Sequence, residues 1–293
     1  MYPAAFEYFS PRTVDEALEL LARHGDDAKI LAGGQSLLPM MKLRIASPRY
    51  LIDVNRIDGL AGLRREDDRL VIGALCRHAD ILASPIVRDH LPIMFDAAAQ
   101  TADVQVRNRG TVAGSLAHAD PAGDWPAALM ALDTTVTIAS RGATRTTPLA
   151  DFIVDAYTTR LSGGEMVIEV SVGIPPRPCG GAYLKFEKRA GDFAVASVGV
   201  QLALDGDRCR SAAISLGAVG AMPIRARAAE ALLEGTALSP ALPGEAEQRV
   251  RDAAEPFADT RGSVEYKRHL AGVLFRRSFA MAMDRARGSR SGS

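Results

Sequence analysis

Between Thr13 and Gly25, apolar residues recur at Val14, Ala17, Leu18 and Leu21, the three-and-four spacing of one helical face. Thr13 and Glu16 stand at capping-box spacing, and Gly25 sits where a C-cap glycine belongs. "AKILA" (28–32) then reads as a short buried strand, so the adjacent Gly33 and Gly34 lie at a strand end. "YLIDVNRI" (50–57) reads as another strand, and "RLVIGALC" (69–76) as another after the polar turn "RREDD". A helical pattern from about 79 to 102 is interrupted by Pro85 and Pro92. The loop-like "RNRGTVAGSLAHADPAGD" follows, then a helix "WPAALMAL" with Asp124 as its N-cap, then the alternating strand "TTVTIAS".

Proline and glycine cluster in "GIPPRPCGG" (173–181), which marks a boundary. Beyond it "AYLKFEKR" alternates, and "FAVASVGVQLAL" and "RSAAISLGAVG" flank a hairpin signal at Asp205–Gly206. Three antiparallel strands are expected, followed by helices in "IRARAAEALLEG", "EAEQRVRDAAEPF" and "SVEYKRHLAGVLFRRSFAMAMDRA". The reading is α+β, with units at 1–57, 58–177 and 178–286 and a disordered polar tail at 287–293.

Charge and cysteine content narrow the function classes. Basic and acidic residues balance at 35 each, which argues against a bulk electrostatic grip on nucleic acid or an anionic membrane and leaves room only for a local patch. The longest apolar run is too short to cross a bilayer, and the N-terminus lacks the pattern of a secretory signal. Three dispersed cysteines fit a reduced, cytoplasmic setting and cannot ligate an iron–sulfur cluster within this chain.

Two segments carry candidate chemistry. In "AGGQSLLPMMKLR" the Gly33–Gly34 pair bares main-chain amides that suit a pyrophosphate, and Ser36 adds a hydroxyl donor. Taken alone, the motif fits a structural turn as well as a ligand loop. In "RGTVAGSLAHADPAGDWP", Thr111, Gly114 and Ser115 repeat that chemistry, and Asp120 and Asp124 add carboxylates that accept hydrogen bonds from hydroxyls or a ring N–H. A turn-forming Asp120 and a helix-capping Asp124 are the plain alternatives. A dinucleotide such as FAD satisfies both segments. His118 has no second histidine or cysteine at ligand spacing, so no metal site is read. Trp125 reads as packing beside the loop, and Met40 and Met41 as core or contact surface.

Together with "KFEKRAGDFAVASVGV", the two segments resemble the FAD-binding medium subunit of the xanthine dehydrogenase and carbon monoxide dehydrogenase family of molybdenum hydroxylases. The resemblance implies a two-subdomain FAD-binding fold of the vanillyl-alcohol-oxidase type, followed by a C-terminal three-stranded antiparallel sheet with a helical bundle. It implies that Ala32, Gly33, Gly34, Gln35, Ser36 and Leu37 wrap the FAD diphosphate, with Thr111, Ala113, Gly114 and Ser115 meeting it from the other subdomain. Ala113 stands where relatives carry glycine. His118, Asp120 and Asp124 belong to the same motif. Lys185 matches a family lysine beside the flavin ring, where a cation stabilises negative charge on the reduced flavin. Phe193 stands where some relatives place a tyrosine near the flavin face, keeping the stacking surface without the hydroxyl. The implied partners are a large molybdopterin-binding subunit and a small iron–sulfur subunit, assembled as a dimer of heterotrimers. The implied function is electron transfer from the partner's clusters through FAD to an external acceptor. The rivals are a free-standing FAD-dependent reductase or oxidase and a non-catalytic nucleotide-binding module.

Overall fold

A computed structural model describes residues 2–237 and 242–288. The first sheet is parallel and three-stranded, with Tyr50–Asp53 between Glu7–Phe9 and Ala28–Leu31. Helix Val14–His24 packs on it through Ala17, Leu18 and Leu21, as its spacing predicts. Thr13 Oγ1 accepts from the Glu16 amide, and Glu16 in turn accepts from the amide of Arg12 rather than of Thr13. The Glu7–Phe9 strand, unforeseen in the sequence, is a short and mostly exposed edge with no buried alternation to reveal it.

The second sheet is antiparallel, in the order Leu63–Glu66, Arg69–Gly73, Met166–Gly173, Thr134–Ser140, Ala143–Pro148. "RREDD" is therefore not simply a turn. Its first half lies in an edge strand whose charged residues face solvent, with Arg64 paired to Glu66 and to Glu169, both at 2.6 Å. Between strands Arg69–Gly73 and Thr134–Ser140 the chain makes a layer of short helices. Those at His78–Ala83, Pro85–His90 and Pro92–Gln100 break at the two expected prolines, each of which occupies a first helical position.

The loop expected after residue 106 is largely helical. Val104–Arg107 and Val112–His118 are helices, and the second is N-capped by Thr111. Its buried face consists of Val112, Ala113 and Leu116, too small and too brief a stripe to stand out beside the glycine and the serine. Helix Asp124–Met130 begins one residue earlier than expected: Gly123 is the N-cap and Asp124 the first helical residue, so its carboxylate is free for other contacts.

The third sheet joins Cys179–Phe186, Ala196–Asp205 and Arg208–Gly217 in the expected antiparallel order. A two-residue fourth strand, Ile224–Arg225, pairs with Ser215 and Leu216, so the following helix starts at Arg227 rather than Ile224. Helices Leu242–Ala253 and Val264–Ala286 complete the bundle, the longer lying across strands Cys179–Phe186 and Ala196–Asp205. Of the tail expected to be disordered, Arg287 and Gly288 are hydrogen-bonded to the helix end, and 289–293 lie outside the described residues. No helix among the described residues is long and apolar enough to cross a membrane.

Candidate functional site

The two glycine segments meet. Gly33 packs back-to-back against the second segment, where an added Cβ would lie 2.7 Å from Gly110 Cα and closer still to the Arg109 carbonyl oxygen. Gly34 adopts φ +74°, which L side chains rarely adopt, and a Cβ there would also press on Leu31 and Leu38. Its glycine is thus required by backbone conformation and packing. The amides of Gly33, Gly34, Gln35 and Ser36 donate to no acceptor among the described residues. Main-chain donors left free in one turn suit an anion.

Both segments line one cavity of about 800 Å³, a size typical of small-ligand sites. Its wall takes residues 32–37, then Thr111, Gly114, Ser115, His118 and Asp124, and finally Gly191, Asp192 and Phe193. Three expected site residues do not line it. Ala113 is buried in the core face of its helix, which is why a Cβ is tolerated there. Asp120 closes a turn, its carboxylate accepting from the Ala122 amide at 2.9 Å. Lys185 lies behind the wall with a side chain only 1% exposed, its Nζ 3.3 Å from Asp124, 3.0 Å from Glu187 and 3.0 Å from the Asp192 carbonyl.

Lys185 therefore pairs with Asp124, which does line the cavity. Asp124 also accepts from the Tyr183 hydroxyl at 2.8 Å, and that tyrosine is fully buried. Burial pushes the Asp124 carboxyl up to about 6, with the Lys185 cation and the Tyr183 hydroxyl opposing the rise. His118 stacks obliquely on Tyr157 at 5.3 Å, and burial holds its imidazole below the usual histidine value against the pull of Asp120.

Several wall residues escape sequence reasoning. His78 and Trp125 stack at 5.5 Å in the cavity wall, and His78 Nδ1 and Trp125 Nε1 are both buried without a hydrogen-bond partner. Trp125, read as packing, is core and wall together. Lys29, Tyr157 and a second adjacent glycine pair, Gly163–Gly164, also line the cavity. The pair in "LSGGE" repeats the signal that marked Gly33–Gly34, and so was available in the sequence. His78 had no such signal. A smaller depression of about 450 Å³ between helices Leu242–Ala253 and Val264–Ala286 is lined by polar and charged side chains and touches neither glycine segment.

Residues 4–176 match the family described as the FAD binding domain in molybdopterin dehydrogenase, and residues 181–282 match the CO dehydrogenase flavoprotein C-terminal domain. The chain is 39% identical to the 6-hydroxypseudooxynicotine dehydrogenase complex subunit alpha of Paenarthrobacter nicotinovorans, over 98% of this chain and 97% of that one. It is 40% identical to the carbon monoxide dehydrogenase medium chain of Hydrogenophaga pseudoflava, over 97% of this chain and 99% of that one. Among solved structures it superposes on the carbon monoxide dehydrogenase of Hydrogenophaga pseudoflava with a TM-score of 0.95 and 41% identity, covering 97% of this chain and 99% of that one. It superposes on quinoline 2-oxidoreductase from Pseudomonas putida 86 with a TM-score of 0.92 and 33% identity, covering 99% of both. The cavity fits FAD on its own terms, since free amides suit the diphosphate and Asp124, His78 and Trp125 offer polar atoms to the rings and hydroxyls. In fold and over nearly its whole length, the chain belongs to the family of FAD-binding medium subunits of the molybdenum hydroxylases, and its cofactor is FAD.

Proposed function

We propose that this chain is the electron-transfer subunit of a heterotrimeric molybdenum hydroxylase, taking electrons from iron–sulfur clusters of a small partner and passing them to an external acceptor. The observation that carries the reading is the single cavity lined by residues of all three proposed units, 1–57, 58–177 and 178–286. Bound FAD supplies a redox group that accepts electrons singly and stores them in pairs. The chain's own residues bind and orient that group. The amides of Gly33 to Ser36 would hold the diphosphate, with Thr111 to Ser115 beside it. Asp124, fixed by Lys185 and Tyr183, would accept a hydrogen bond from a ligand hydroxyl or N–H. Phe193, 51% exposed on the cavity wall, would leave one end of the site open to the surface.

Two further observations support a subunit. Relatives of the same length are named as a complex subunit and as medium chains. All three cysteines are free, which suits a cytoplasmic setting. The reading includes a large molybdopterin-binding partner and a dimer of heterotrimers. Gentle native purification, with an absorption spectrum and mass identification of companions, tests it. A yellow protein is expected together with an iron–sulfur chain and a large molybdenum-containing chain. A yellow chain that purifies alone and turns over a substrate unaided would instead be a free-standing flavoenzyme of this fold.

A further inference from the structure

Behind the glycine segments a line of hydrogen bonds crosses from one to the other without entering the cavity. Asn55 Nδ2 donates to the Ala32 carbonyl at 2.8 Å. Arg77 Nη2 donates to Asn55 Oδ1 at 2.5 Å, and Arg77 Nη1 to the Arg109 carbonyl at 2.6 Å. Each member is anchored in turn. Asn55 is held by Asp53 Oδ1 through its side chain (2.6 Å) and its amide (2.9 Å), and Asp53 Oδ2 accepts from the Tyr8 hydroxyl at 2.6 Å. The Arg77 main chain runs beside the second segment, bridged to Thr111, with the His78 amide donating to the Gly110 carbonyl at 3.1 Å.

We propose that Asn55 and Arg77 are positioning residues, a clamp that fixes the separation of the two glycine segments and thereby sets FAD affinity. Neither residue lines the cavity, so neither acts by touching the ligand. The two carbonyls they grip, Ala32 and Arg109, stand next to the cavity-lining Gly33 and Gly110. A planar guanidinium with donors in a fixed fork joins two acceptors at set angles, which an ammonium on a flexible stem does not. Burial and the neighbouring Arg109 cation hold the Arg77 guanidinium below its usual pKa, so this half-buried side chain gives up part of its hydration where it makes the two bonds. The bonds form a series. Breaking any link releases the same constraint, and ordering the loosened segments then falls on ligand binding.

The proposal rests on FAD as the cofactor, and the experiment separates the two claims. Full-length apoprotein is titrated with FAD, following flavin fluorescence, and its thermal unfolding is recorded without FAD. Wild type must bind; if it does not, the cofactor assignment falls first. Arg77→Gln and Asn55→Ala are each expected to raise the Kd about tenfold, which is about 1.4 kcal/mol. The double variant is expected to be no worse than the weaker single one, because both break one series. Arg77→Lys is expected to recover part of the affinity. Apoprotein melting is expected to shift far less than that of the FAD-bound protein. Unchanged Kd in folded variants, or losses that multiply in the double variant, would overturn the clamp. So would failure of all three single variants to fold, since the network would then hold the fold itself.

Discussion

His78 shows how much one side chain contributes where no local pattern marked it. Burial, helped by the nearby Arg77 and Arg107 cations, pushes its imidazole down to about 4. An unfolded histidine titrates near 6.5, so on acidification the unfolded chain takes up the proton first. Stability at this position is complete above about 6.5 and is lost as pH falls towards 4, by up to roughly 3 kcal/mol. Asp124 has the opposite sign. Its carboxyl, raised to about 6, keeps in the fold a proton that the unfolded chain has released, so its contribution is greatest at low pH and declines as pH rises to about 6. Unfolding free energy of the apoprotein, measured from pH 4 to 7, is expected to rise less steeply with pH in His78→Gln than in wild type. Identical slopes would place the acid sensitivity elsewhere. His78 was opaque beforehand, and Asp124 was legible as a candidate carboxylate but not in its pairing, for one reason: a lone histidine or aspartate takes its role from the neighbours that burial brings, and those of Asp124 come from the distant Lys185 and Tyr183.

The second glycine segment illustrates the element scale. "TVAGSLAH" carries the residues of a ligand loop, yet it folds as a helix because Thr111 caps it, with Oγ1 accepting from the Gly114 amide at 3.0 Å. Thr111→Ala is expected to cost about 1 kcal/mol of apoprotein stability in chemical denaturation, and Thr111→Ser much less. If apoprotein stability is unchanged while FAD affinity drops, Thr111 serves the ligand and not the helix. The strongly periodic elements were legible: Val14–His24, the proline-broken helices and the long strands of the third sheet all follow their patterns. Edge strands were not, because Leu63–Glu66 and Glu7–Phe9 expose most of their side chains and so lack a buried alternation to detect.

For the whole molecule, the cavity depends on segments remote in sequence keeping their places. Arg285, near the end of the last helix, forks onto Asp96 of helix Pro92–Gln100 at 2.6 and 3.0 Å and also reaches the Gly181 carbonyl at 2.7 Å. The two side chains are 20% and 11% exposed, so the pair is only lightly screened. Arg285→Met is expected to lower stability by about 2–3 kcal/mol and to speed proteolysis in the 173–179 connection. Unaltered melting and cleavage would mean that the Arg285–Asp96 pair adds nothing to the packing around it.

The chain's pattern by itself determined the α+β class, most of its regular elements, the two glycine segments and the cofactor chemistry they suit, because periodicity, proline and adjacent glycines act locally. Only the tertiary structure decided which residues face the cavity. It moved Lys185 behind Asp124, turned Ala113 into the core and brought His78, Trp125 and the Asn55–Arg77 line to the site. Those roles arise from contacts between residues remote in sequence, and no local pattern records the distance that folding closes.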